Sequence, residues 1–126
     1  MRAKLEYTGI RVRDMDASIR FYTTVLGMTV EGPRPLEATK GILASLTNEV
    51  GGPSLELNYY ENGSPFDTKY ETGEALDHLG FKVGDLEQAI AEAKKGGYPV
   101  VQEVRSATGR WVYIQDPNGI RIELYS

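Results

Sequence analysis

The chain contains one short pattern twice, and any fold proposed for the first copy must also serve the second. Residues 7–15, Tyr-Thr-Gly-Ile-Arg-Val-Arg-Asp-Met, align without gaps on residues 78–86, His-Leu-Gly-Phe-Lys-Val-Gly-Asp-Leu. Gly9 meets Gly80, Val12 meets Val83, Asp14 meets Asp85, and the basic Arg11 meets the basic Lys82. Tyr7 thereby falls on His78, so each copy carries a candidate metal ligand at an equivalent place. A second matched pair closes each half: Leu55-Glu56-Leu57 and Ile122-Glu123-Leu124, each a carboxylate between two aliphatics. The pattern describes two half-domains that contribute four polar groups from corresponding positions.

Periodicity gives the elements. Alternation over residues 5–12 puts Thr8, Ile10 and Val12 on one face and Tyr7, Gly9 and Arg11 on the other, which predicts a half-buried strand. Asp14 or Asp16 then caps a helix with Met15, Ile19, Tyr22 and Leu26 as its stripe and Gly27 as its stop. In the second copy Leu79, Phe81 and Val83 oppose His78, Gly80 and Lys82. Asp85 starts the counterpart helix, with Gln88 placed as in a capping box, a stripe of Leu86, Ile90 and Ala93, and Gly96-Gly97 at its end. Short strands are expected over roughly 28–32, 39–47 and 53–60, and again over roughly 99–104, 110–115 and 119–125, so each half reads βαβββ. Asp116-Pro117-Asn118-Gly119 has Pro where φ is preset and Gly where a positive φ is easy, and should join the last two strands as a hairpin. The polar stretch from Glu61 to Glu74, with Gly63, Pro65 and Gly73, links the halves as a solvated connection or a flexible lid.

Composition removes several classes. A length of 126 residues suits one domain, with modules of about 4–60 and 75–126, and apolar and charged fractions of 40% and 25% suit a soluble globular protein. No apolar run approaches the roughly 20 residues of a membrane span, and Met1-Arg2-Ala3-Lys4 opens no secretory segment. A net charge of -4 without a basic stripe argues against nucleic-acid binding. The absence of cysteine fits a cytoplasmic protein and leaves N and O ligands for any metal.

The same alternation selects the surface that carries chemistry. Ser54, Glu56, Asn58 and Tyr60 share a face opposite Leu55, Leu57 and Tyr59, while Arg121, Glu123 and Tyr125 oppose Ile120, Ile122 and Leu124. With the apolar faces turned to the helices, the opposite face holds Tyr7, Glu56, His78 and Glu123. Carboxylates drawn away from water need partners or a cation. A lone strand histidine is most often structural, a glutamate between aliphatics is most often a solvent face, and a strand tyrosine is most often packing. None of those readings requires the residues at corresponding places in both halves.

The repeat, the Glu and His placement, the stretch from Lys69 to His78 and the Asp116-Pro117-Asn118-Gly119 turn resemble the glyoxalase I / bleomycin resistance / extradiol dioxygenase superfamily, the vicinal oxygen chelate proteins. The resemblance covers nearly the whole chain and within the superfamily is greatest to glyoxalase I. It implies an α+β fold of two βαβββ modules forming a curved mixed sheet, and a divalent Zn or Ni ion bound by Glu56, His78 and Glu123. Tyr7 stands where the family's glyoxalases have His; a phenol with a pKa near 10 makes it a weak ligand or a neighbour of the ligand set. An oxygen-rich set also admits Mn or Fe.

The implied chemistry is isomerisation through an enediolate of a small 2-oxo or hemithioacetal substrate. Glu123 or Glu56 acts as the base, and the resemblance favours Glu123. Arg11 matches an Arg that meets a carboxylate of glutathione, but Glu74 stands where the family has Arg and Tyr60 where it has Asn. Those two exchanges disfavour an anionic glutathione adduct. Trp111, Tyr113 and Tyr59-Tyr60 pack the sheets or line the pocket. The resemblance also implies a homodimer with sites at the subunit interface, each from the first half of one chain and the second half of the other. Two other readings stand beside the lyase: another metal-chelating enzyme of the superfamily, an epimerase or dioxygenase, and a metal-free antibiotic-binding resistance protein.

Overall fold

The computed structural model describes Arg2, residues 7–72, Leu76, residues 78–107 and residues 109–126, with His78 and Ser106 described by backbone alone. The chain divides into two compact units, Met1–Tyr70 and Glu71–Ser126. The first contains β1 (Tyr7–Arg11), α1 (Met15–Thr24), β2 (Thr29–Leu36), a 3-10 turn (Glu37–Thr39), β3 (Gly41–Thr47) and β4 (Ser54–Tyr60). The second contains β5 (His78–Lys82), α2 (Leu86–Lys95), β6 (Gln102–Ser106), β7 (Gly109–Gln115) and β8 (Arg121–Tyr125). Both are the βαβββ arrangement the repeat predicts.

The sheets have matching orders, β1-β4-β3-β2 and β5-β8-β7-β6. In each, the strand before the helix pairs in parallel with the last strand, and the other pairings are antiparallel. The sheets are therefore mixed. Residues 5 and 6 of the expected first strand lie outside the described residues.

Both helices begin as the sequence dictates. Asp14 accepts the backbone N–H of Ala17 at 2.9 Å, and Asp85 accepts that of Gln88 at 3.0 Å. Each cap satisfies one of the otherwise unbonded N–H groups of a first turn, a contribution of about 1 kcal/mol. Only half of the capping box forms, because the Gln88 amide turns forward to Glu92 at 2.8 Å instead of back to its cap.

The expected stripe of α1 needs correction. Its buried residues are Met15, Ser18, Phe21 and Tyr22. The helix ends at Thr24, so Leu26 lies beyond it, and Ile19 is half-buried. Phe21 and Tyr22 are fully buried and meet edge to face at 5.0 Å, so the buried stripe runs through both rings with Ile19 at its margin. On α2 the buried residues are Leu86 and Ala93, with Ile90 half-buried.

α1 packs on β2, β3 and β4, and α2 packs on β8; the buried residues of the first unit include Ile10, Ala44, Leu46, Leu55 and Leu57, and those of the second Val112, Ile114, Ile122 and Leu124. The β7–β8 turn is tightly bonded. Gly119 has φ +82° and donates to the Asp116 carbonyl at 3.0 Å, while the buried Asp116 carboxylate accepts the N–H groups of Asn118 and Ile120, both at 2.8 Å.

The first part of the expected linker is anchored to the first unit. Ser64 is buried, donates through Oγ to the Thr39 carbonyl at 2.5 Å and accepts the Phe66 N–H at 3.1 Å. The Phe66 ring stacks on Tyr60 at 5.3 Å. These bonds account for a unit boundary at Tyr70 well past the last strand. Glu74 and Gly73 lie outside the described residues. Among the described residues no helix is long and apolar enough to cross a membrane.

Candidate functional site

Strand register gives the two glutamates the same local setting. Gly9 lies opposite Glu56 in the β1/β4 pair, and Gly80 lies opposite Glu123 in the β5/β8 pair. Tyr7 and His78 sit two residues earlier on their strands, hence on the same pleat face as those glycines. A Cβ at Gly9 would meet Asn58 Nδ2 at 3.4 Å and Glu56 Oε1 at 3.9 Å; one at Gly80 would meet Tyr125 Cε1 at 3.8 Å. These are ordinary contacts, so neither glycine is demanded by backbone strain. At Gly9 the room lies beside the Glu56 carboxylate, and at Gly80 beside the Tyr125 ring.

The carboxylates are half-buried and differ in their hydrogen-bond donors. Glu56 Oε1 accepts the Asn58 side-chain amide, two residues along its own strand, at 3.1 Å. Glu123 Oε2 accepts the Tyr113 hydroxyl from the neighbouring strand at 2.8 Å. That hydroxyl in turn accepts the Trp111 indole N–H at 3.2 Å, and the Arg121 guanidinium stands 5.8 Å from the Tyr113 ring centre. The bond to Glu123, aided by burial, pushes the Tyr113 phenol above its ordinary value.

A cavity of about 680 Å³, within the size range of small-molecule sites, opens in the second unit beside Glu123. Asp85, Leu86, Arg110, Trp111 and Tyr125 also line it. Arg110 is fixed at its wall by Glu87 and by Glu103, whose carboxylate accepts the Arg110 Nε–H at 2.7 Å. These bonds raise the Arg110 pKa; the bond from Arg110, with the charge of Arg105, lowers that of Glu103.

Tyr7 is 53% exposed. Arg11 lies two residues from Gly9 on the same face of β1, and its guanidinium donates to the Thr68 carbonyl at 2.7 Å and to Asp67 Oδ1 at 2.8 Å. It stands 5.9 Å from the Tyr60 ring centre and 5.7 Å from that of Tyr70. A substrate carboxylate reaching Arg11 would compete with Asp67.

As donors, Glu56 and Glu123 are the hard oxygens that divalent ions take, so their chemistry fits a metal. Among the described residues no three His, Cys, Asp or Glu side chains form a metal-holding group, and the His78 side chain lies outside that description. Residues Tyr7 and Glu56 share the first unit's sheet, while His78 and Glu123 share the second's. The Trp111–Tyr113–Glu123 chain is absent from the sequence-based expectations, which left both aromatics as packing or pocket lining. Hairpin register would have revealed it: Tyr113 and Glu123 are both five residues from Asn118 and therefore face each other.

Comparison with known proteins follows the same lines. Residues 4–124 match the family model of the Glyoxalase/Bleomycin resistance protein/Dioxygenase superfamily. Over 126 residues the chain is 34% identical to a probable lactoylglutathione lyase of Vibrio cholerae, covering 96% of this chain and 88% of that one. It is 32% identical to a lactoylglutathione lyase of Escherichia coli, with 96% and 90% covered. Among solved structures, the trypanothione-dependent glyoxalase I of Leishmania major superimposes with a TM-score of 0.78 at 31% identity, over 99% of this chain and 87% of that one.

Proposed function

The chain belongs to the Glyoxalase/Bleomycin resistance protein/Dioxygenase superfamily, and from that premise we propose that it is a metal-dependent glyoxalase-like lyase or isomerase of small 2-oxo or hemithioacetal substrates. The lactoylglutathione lyase relatives support an enzyme of glyoxalase type. The observation that carries the finer reading is the matched register: each half sets a half-buried glutamate against a glycine, with Tyr7 or His78 two residues before it.

In this reading Glu56, His78 and Glu123 hold one divalent ion, Zn or Ni in preference to Mn or Fe, with Tyr7 beside it. An ion held there would supply Lewis-acid polarisation of the substrate carbonyl and so favour loss of the proton on the neighbouring carbon. Glu123 removes the proton from the carbon next to the carbonyl and returns it to the adjacent carbon, so that no external redox partner enters. Glu56 stays in place as the second carboxylate. Trp111 and the cavity beside Glu123 give the substrate a wall to lie against. Arg11 receives an anionic group of the substrate when that group displaces Asp67.

Glutathione is not assumed as the thiol. Glu74 and Tyr60 replace two groups that would meet its adduct, and a trypanothione-dependent relative indicates that the fold accepts another thiol. The proposed assembly is a homodimer that shares each site between subunits, in the cytoplasm, where a cysteine-free chain meets no redox constraint.

The test is turnover of methylglyoxal hemithioacetals, formed with glutathione or with a less anionic thiol, by protein stripped of metal and reloaded with Zn or Ni. Metal-dependent isomerisation that falls by about 10³-fold or more in Glu123→Gln is expected, the scale of removing a general base. Absence of turnover with every thiol and metal, in a protein shown to be folded, would overturn the proposal.

A further inference from the structure

Resting on that reading of Glu123, we infer that Tyr113, backed by Trp111, is a positioning residue that makes Glu123 functionally distinct from its counterpart Glu56. The Tyr113 hydroxyl donates to Glu123 Oε2 at 2.8 Å while accepting the Trp111 indole N–H at 3.2 Å. Register explains the geometry: Tyr113 lies opposite Glu123 and Trp111 opposite Tyr125 across β7 and β8. At the corresponding places of the first sheet, β3 presents Ser45 opposite Glu56 and Leu43 opposite Asn58. A leucine side chain has no N–H to give, and a serine lacks the reach of a phenol. The arrangement therefore belongs to one carboxylate of a matched pair.

The consequence is orientational. A hydroxyl that accepts a hydrogen bond is a better donor, and a bond to a charged acceptor is stronger than one between neutral groups. Glu123 is thus held through Oε2, which fixes the orientation of its carboxylate for binding or proton transfer. Glu56 is held by the amide of its own strand neighbour at 3.1 Å, a longer bond, and β3 presents no second donor of the Trp111 kind opposite Asn58. Partners that orient a ligand in this way typically change metal affinity or activity by about 10–100-fold when removed.

Trp111 is the sole tryptophan, so its emission reports on Glu123 from two hydrogen bonds away. Apoprotein is titrated with zinc, following Trp111 emission and calorimetry together, for wild type, Tyr113→Phe, Glu123→Gln and the double variant; turnover is measured on the zinc-loaded forms. Expected are a saturable emission change in wild type and about tenfold weaker zinc binding in Tyr113→Phe, with kcat lowered and KM within about twofold. In the Glu123→Gln background, Tyr113→Phe should have no further effect on affinity. Trp111→Phe, read by calorimetry, should weaken zinc binding about threefold and serves as the second variant should Tyr113→Phe fail to fold. Unchanged zinc affinity and kcat in the folded variants, or an equal loss with and without the Glu123 carboxylate, overturns the positioning role and leaves the proposed function standing. Wild-type protein that binds no zinc and no nickel overturns the proposed function, and this role with it.

Discussion

The two sheets set a glutamate at the same register and surround it differently. In the first, Glu56 is flanked by Asn58 on its own strand and faces Ser45, and the nearby cation Arg11 is held by Asp67 and Thr68. In the second, Glu123 faces Tyr113, which carries Trp111 behind it, and a cavity opens alongside. Duplicated backbone thus fixes where a carboxylate stands, and the unduplicated residues on the next strand decide what it can do. A symmetric scaffold with asymmetric neighbours is a direct route to one ligand that stays and one that works as a base.

The largest effect should come from dividing the halves between chains. A Tyr7→Ala/Glu56→Ala chain co-refolded with a His78→Ala/Glu123→Ala chain should regain metal binding and turnover that neither parent has, since each mixed dimer then holds one intact site. Recovery no better than the parents, with mixed dimers confirmed by native mass spectrometry, would contradict the shared site.

A second break in the comparison lies in the turns. β3 and β4 are joined through Asn48 and the paired glycines Gly51 and Gly52, whereas the β7–β8 turn depends on the buried Asp116 carboxylate. Asp116→Ala leaves two buried N–H groups without their acceptor and should cost about 2–3 kcal/mol in urea unfolding. A loss below about 0.5 kcal/mol, the range of ordinary surface substitutions, would show that the turn is satisfied otherwise.

Making the halves more alike should sharpen the proposed site. Tyr7→His puts an imidazole at the repeat position equivalent to His78 and should tighten Zn or Ni binding roughly tenfold, on the order of 1.4 kcal/mol. Unchanged affinity by calorimetry would place Tyr7 away from the ion.

The smallest effect belongs to the exposed ion pairs at the cavity wall. Hydrogen bonding from Arg110 lowers the Glu103 pKa, so its contribution to stability is present above the ordinary carboxylate value and is lost as pH falls through the lowered one. Glu103→Gln should therefore melt slightly below wild type at neutral pH and converge with it as the pH falls through the lowered carboxylate range. A gap that widens in acid would reverse the assignment.

Most of the fold was legible because the repeat and the caps are local signals. Asp14 and Asp85 each precede their helix, and Pro117-Asn118-Gly119 makes its turn from chemistry contained in four residues. The α1 stripe was read correctly at Met15 and Tyr22 and missed Phe21, because the choice between Ile19 and Phe21 is a matter of tertiary packing that spacing alone does not decide. The polar stretch after Tyr60 gave no sign of its anchoring, since Ser64 and Asp67 bond residues 25 and 56 positions away. The candidate site was legible as positions, through Glu56 and Glu123 in matched triplets. Its asymmetry is written on β3 and β7, outside the repeat, and shows only when the β7–β8 register is counted out from Asn118.

The central claim is that the matched positions Glu56, His78 and Glu123 hold a divalent ion, and metal analysis of the purified dialysed protein tests it most directly. After loading with Zn or Ni, the account predicts one tightly held ion per chain in wild type and none above background in folded His78→Ala. Wild-type protein that retains no metal, or a His78→Ala variant that keeps it stoichiometrically, would contradict the account.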